Sequence, residues 1–102
     1  MFARNVTFSI KPNMDREVAV KFEKEVLPIL RKANGFRDQI TLSRDHNEIV
    51  GISLWEKKEN LDAYAKDTDP QVVKILSPFC NGTPEVRTYE VTYTTTQKHA
   101  TV

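Results

Sequence analysis

The 102-residue chain is poor in most of the residue types that carry catalytic chemistry. It has one cysteine, Cys80, so no disulfide can form within the chain, and that usage fits a reducing compartment. Its two histidines, His46 and His99, lie far apart, and no His or Cys falls at a spacing that gathers metal ligands. No metal and no cofactor are therefore expected, and the same scarcity leaves no Ser/His/Asp or Cys/His nucleophile in view. The three glycines, Gly35, Gly51 and Gly82, are isolated, which argues against a phosphate-cradling loop. With 15 Lys+Arg against 14 Asp+Glu the formal charge is +1, so no excess positive field exists to hold a nucleic-acid backbone. No stretch approaches the roughly 18 apolar residues of a membrane span. The opening Met1-Phe2-Ala3-Arg4-Asn5-Val6-Thr7 lacks the basic leader and apolar run of a signal peptide, so a cytoplasmic protein without a membrane partner is expected.

What is present has the balance of a globular domain: 39% hydrophobic, 28% charged and 9% aromatic residues. One domain is expected over 1–94, followed by a flexible tail, 95–102. The periodicities read βαββαβ. Phe2, Arg4, Val6, Phe8 and Ile10 alternate with Ala3, Asn5, Thr7 and Ser9, the period of a strand with unlike faces. After Asn13, a plausible N-cap, the residues Val18, Phe22, Val26, Ile29, Leu30 and Ala33 form one helical stripe. Glu17, Lys21 and Glu25 make a solvated ion-pair row on its other face. Pro28 predicts a kink near the end of this helix, and Asn34-Gly35 closes it.

Phe36 to Ser43 and Ile49 to Trp55 read as two strands joined by the polar turn Arg44-Asp45-His46-Asn47. A helical region from Lys58 to Lys66 follows, and Asp69-Pro70 predicts a helix restarting on an N-cap. After Asn81-Gly82-Thr83-Pro84, taken as a loop, the last strand is expected from Glu85 to about Thr94. Right-handed crossovers place both helical regions on one face of a four-stranded antiparallel sheet. The other face is too apolar for water, because Val50, Ile52 and Leu54 are joined by Ile49 and Trp55 on the opposite side of the same strand. A twofold homodimer, sheet against sheet, is the expected cover, with a monomer the alternative.

Cys80 reads as a small core filler, and the acid pairs Asp67/Asp69 and Glu56/Glu59 read as helix caps favoured by the dipole. Small polar residues, Asn5, Thr7, Ser9, Thr41, Ser53 and Thr88 among them, together with Trp55, Tyr64 and Tyr89, suggest the lining of a pocket for a small aromatic ligand. The plainer alternative is that the polar residues face water and Trp55 is packed as core.

The kinked helix with Val26-Leu27-Pro28-Ile29-Leu30, the closing Gly35-Phe36, the strand ending Ile52-Ser53-Leu54-Trp55-Glu56 and the helix around Asn60-Leu61-Asp62-Ala63-Tyr64 resemble the antibiotic biosynthesis monooxygenase family. The resemblance covers about Ala3 to Tyr93. It implies an α+β, ferredoxin-like fold that pairs into a dimeric α/β barrel. In the family's best-known members it also implies oxidation of phenolic polycyclic substrates to quinones by O₂, without metal or flavin. Those members carry an Asn four residues before the strand-three Trp and a Tyr six residues after it; here Trp55 is flanked by Gly51 and Leu61. Relatives that degrade haem use an Asn on strand one, which Asn5 matches. They also use a Trp and a His in the later helical regions, where this chain has Tyr64 and Lys74.

Two readings follow. One is a cofactor-independent monooxygenase-like enzyme for a small aromatic or quinol-type molecule, with Trp55 as stacking wall and Asn5 with Tyr64 or Tyr89 as polar partners. The other is a non-catalytic dimer of the same fold that binds a small molecule or serves as an accessory domain.

Overall fold

A strand, β1 (Phe2–Ile10), opens the chain, and its alternation is the reason for everything stacked on it. The structure, a computed structural model, describes residues 1–95. The first helical region runs α1 (Asp15–Lys21), a π-helical turn (Phe22–Val26) and α2 (Leu27–Lys32). Strands β2 (Phe36–Arg44) and β3 (Glu48–Trp55) form a hairpin. The second helical region runs α3 (Lys58–Ala63), a second π-helical turn (Tyr64–Thr68) and α4 (Asp69–Leu76), and a short 3₁₀ turn (Ser77–Phe79) leads into β4 (Cys80–Glu90). The sheet is antiparallel in the order β2-β3-β1-β4, the ferredoxin-like arrangement expected of βαββαβ.

Register settles which residues share a face. Phe2 pairs with Trp55, Arg4 with Ser53, Val6 with Gly51 and Phe8 with Ile49, so these side chains point together. They face the helices, because Trp55 belongs to a buried cluster with Val26, Leu30, Leu61, Tyr64 and Leu76, against which Phe2 and Phe8 pack. Trp55 is fully buried (0% exposed), and burial of a side chain that size is worth several kcal/mol, about 3–5 by truncation to Ala. A smaller cluster of Ile10, Val18 and Ile49 closes the far end. The outer face carries Ala3, Asn5 and Thr7 opposite Leu54, Ile52 and Val50.

Several expectations need correction. The last strand begins at Cys80, and Asn81-Gly82-Thr83-Pro84 lies inside it. A register shift between Thr7 and Ser9 absorbs the extra residues, Gly82 supplies φ +74°, and an edge strand tolerates the proline. The strand ends at Glu90, short of Thr94. Asn13 is not the cap of α1: it sits at φ 62°, and Met14 holds the N-cap position without a side-chain bond. A helix does restart at Asp69-Pro70, but Asp69 is its first residue and not its N-cap: Thr68 holds that position without a side-chain bond, the chain runs on in the αR region from the preceding π turn, and the Asp69 carboxylate is engaged by Arg4. Apart from Thr95, the tail 95–102, which includes His99, lies outside the described residues.

Candidate functional site

Between the helix-facing side of the sheet and the two helical regions lies a cavity of about 340 Å³. Its walls are mostly apolar. Val6 and Phe8 come from β1, Phe22 and Val26 from the first π turn, and Val72 from α4. Gly51 contributes bare backbone to the floor; a Cβ there would stand 3.3 Å from Gln39 Nε2. Val73 and Val86, both nearly half exposed, stand at the rim on α4 and β4.

One end of the cavity is polar. Arg4 is the single cation in the apolar inner row of β1, and it is only 7% exposed. Its Nη2 donates to Asp69 Oδ2 at 3.0 Å, an ion pair spanning 65 positions of sequence. A guanidinium in so dry a place needs that partner, since an unpaired buried charge is strongly destabilising. The same guanidinium lies over the Tyr64 ring, with Cζ 5.6 Å from the centroid, a cation–π contact. Tyr64 is 5% exposed and stands beside the Arg4–Asp69 pair. Burial above all, then the Asp69 charge, pushes its hydroxyl well above the ordinary tyrosine range, with Arg4 opposing. Tyr64 is therefore a neutral hydrogen-bonding group, not a tyrosinate. Cys80 also lines the cavity; burial pushes its thiol up, and Sγ donates to the Leu76 carbonyl at 3.3 Å, so it is a structural thiol and a poor nucleophile.

The four candidate ligand residues separate. Trp55 and Tyr64 are on the helix side and in contact, ring centroids 4.9 Å apart. Trp55 does not line the cavity. It is sealed beneath Tyr64 and Phe36, and its Nε1 donates to Ser53 Oγ at 2.8 Å, so it supports the wall without presenting a face. Asn5 and Tyr89 are on the opposite side of the sheet, beside Ile52 and Ala3 in the register. Asn5 accepts from Thr7 Oγ1 at 3.2 Å, and Tyr89 is 49% exposed. The supposed polar lining divides the same way: Asn5, Thr7 and Ser9 face outward, and Ser53, Thr41 and Thr88, paired with Arg4 or Gly51, face the helices.

Arg4 and Asp69 were missing from the sequence-based site. A lone arginine among Phe2, Val6 and Phe8 was the available signal, whereas nothing local marks Asp69 as its partner. Among the described residues no three His, Cys, Asp or Glu side chains converge to hold a metal ion, and no helix is long and apolar enough to cross a membrane.

No protein-family model and no curated protein sequence matches the chain. Solved structures do. A protein of unknown function from Nitrosomonas europaea is similar at TM-score 0.79 and 12% identity, covering 96% of this chain and 95% of that one. The ActVA-Orf6 monooxygenase of Streptomyces coelicolor, in complex with nanaomycin D, is similar at TM-score 0.77 and 19% identity, covering 95% and 92%. SnoaB, a cofactor-independent oxygenase from Streptomyces nogalater, is similar at TM-score 0.75 and 14% identity, covering 94% and 97%. The chain thus has the fold of the antibiotic biosynthesis monooxygenase structures over nearly its whole length, as the resemblance in sequence implied.

Proposed function

We propose that the chain is a cofactor-independent monooxygenase-like protein that acts on a small aromatic or quinol-type molecule held between sheet and helices, and that it works as a homodimer joined through the outer sheet face. The observation that carries this reading is the cavity itself: about 340 Å³, mostly apolar along its walls, with Arg4, Asp69 and Tyr64 clustered on one part of them. An aromatic body would lie against these apolar walls, with Arg4 and Tyr64 as donors to the oxygen where charge builds as the substrate is ionised. The oxidation balances without a helper. An activated methylene and O₂ give a carbonyl and water, so one oxygen atom enters the product and the substrate itself supplies every electron.

The second reading, a non-catalytic small-molecule-binding or accessory dimer, is favoured by two positions. Gly51 puts no side chain on the cavity wall, and Leu61 is core, 2% exposed, so neither supplies the hydrogen-bonding group found there in the family's best-known oxygenases. Oxygen uptake with a panel of anthrones and hydroquinones tests the choice. Uptake above the uncatalysed rate, with ketone or quinone formed in proportion, is expected. A background rate across the whole panel would leave the binding reading in its place.

A further inference from the structure

Arg4 is a buried cation whose hydrogen-bonding capacity is mostly unused. A guanidinium carries five N–H donors, and among the described residues Arg4 makes one hydrogen bond, through Nη2 to Asp69. The others meet no acceptor among the described residues, although the side chain is 9% exposed and lines the cavity. Donors in that position favour a ligand that brings an acceptor, because unmet donors in a dry site are costly. The charge on that ligand is restricted as well. Arg4 and Asp69 are the only charged side chains among the described residues lining the cavity, and they cancel. A carboxylate ligand would bring a second negative charge close to Asp69, whereas a carbonyl brings none.

Resting on the reading of this cavity as the ligand site, we propose that within the small aromatic molecules it holds it selects those bearing a neutral carbonyl oxygen, hydrogen-bonded by Arg4, and that Asp69 sets the preference for carbonyl over carboxylate. The bare backbone of Gly51 and the side chains of Val6, Phe22 and Val26 take the rings.

Three probes of matched shape test this on the intact protein, with binding followed by amide NMR: fluorenone, fluorene and the carboxylate of fluorene. Fluorenone binds about tenfold more tightly than fluorene, the gain expected of a hydrogen bond from a charged donor, and the carboxylate binds no better than fluorene. Arg4→Met brings fluorenone and fluorene to within about twofold. Asp69→Asn, which keeps Arg4 and leaves the pole positive, raises carboxylate affinity about tenfold; should either single variant fold poorly, the double variant Arg4→Met with Asp69→Asn, which leaves no unpaired buried charge, keeps the test open and brings fluorenone and fluorene to within about twofold. Equal binding of fluorenone and fluorene by the unmodified protein, or an unmoved carboxylate affinity in Asp69→Asn, would overturn the proposal. Fluorenone has no methylene to oxidise, and the titrations are run without O₂ so that the methylene of fluorene is not turned over; failed oxygen uptake beside intact fluorenone selectivity sinks only catalysis. Failure of all three probes to bind overturns the proposal and removes the cavity as a ligand site.

Discussion

His46 shows how one side chain can make the stability of this fold depend on pH. It sits at the tip of the β2–β3 hairpin, where Asp45 and His46 both take positive φ, 54° and 60°, as a tight turn matched to the strand twist requires. Its Nδ1 lies 2.9 Å from Oδ2 of Asp15, the first residue of α1, so the pair ties the hairpin tip to a helix start. The hydrogen bond and charge of Asp15 raise the His46 pKa above its ordinary 6.5, and the His46 hydrogen bond lowers that of Asp15 below 3.8. Because the imidazolium is favoured in the folded state, its contribution is fully present below the unfolded value and is lost as pH rises through the folded one. The Asp15 contribution is present above its unfolded value and fades as pH falls through its folded one. The pair therefore helps most in mildly acidic solution. His46→Asn, which tolerates the positive φ, should lower the melting temperature more at about pH 5.5 than at about pH 8.5. A difference of equal size at both values would show that the tie carries no charge. Both groups are solvent-exposed, so the effect should also shrink in high salt.

At the scale of elements, prolines shape the cavity. Pro28 and Pro70 each follow a π-helical turn by two residues, after Val26 and after Thr68. Each lacks the N–H that a regular α-helix would direct to the carbonyl four residues earlier, and a widened turn just before it relieves that loss. The first turn puts Phe22 and Val26 on the cavity wall, and the second puts Tyr64 there. Pro28 was legible in the sequence as a kink and Pro70 as a break, but widening without a break leaves no mark on apolar spacing. Strands β1 to β3 were legible because alternation is local. The start of β4 was not, because Gly82 and Pro84 carry turn chemistry that an edge strand can absorb. The site was half legible: Arg4 stands out in the inner row, yet its partner lies 65 positions away, and facing depends on pairing that no single strand encodes. That is why Asn5 and Ser53, both small and polar, belong to opposite faces. Gly35 marks a junction whose need was plain from sequence. Its φ is +79°, its carbonyl accepts from Glu56 N at 2.8 Å, and an added Cβ would fall 2.1 Å from Asn60 Oδ1. Asn60 Oδ1 itself accepts from Lys57 N at 3.2 Å at the start of α3. Gly35→Ala should therefore cost at least about 2 kcal/mol in chemical denaturation, from the left-handed conformation and the displaced cap together. A loss below about 0.5 kcal/mol, the size typical of an ordinary surface change, would contradict this account.

Over the whole molecule the two faces of the sheet divide the labour. The inner face holds the core and the cavity; the outer face joins Ile40 and Leu42 of β2 to Ile52 and Val50 of β3, with Tyr89 of β4 beyond Ala3. Ile40, Leu42 and Tyr89 are 37%, 49% and 49% exposed in the single chain. A contiguous apolar surface of this kind on a sheet is what a second sheet covers in a twofold pair, and that physical argument supports the proposed homodimer. Sedimentation should give a mass near twice 11.7 kDa at micromolar concentration. Ile40→Lys places a charge in the apolar patch that β2 and β3 share on that face, without touching the core, so it should yield a folded monomer. Pairing that survives the substitution would move the interface elsewhere. The same variant separates assembly from ligand selection. The polar pole of the cavity, Arg4, Asp69 and Tyr64, is built within one chain on the side of the sheet facing away from Ile40. The Ile40→Lys monomer should keep its preference for fluorenone over fluorene. Loss of that preference on dissociation would mean that the partner shapes the cavity through the sheet, and that the unit of binding is the pair.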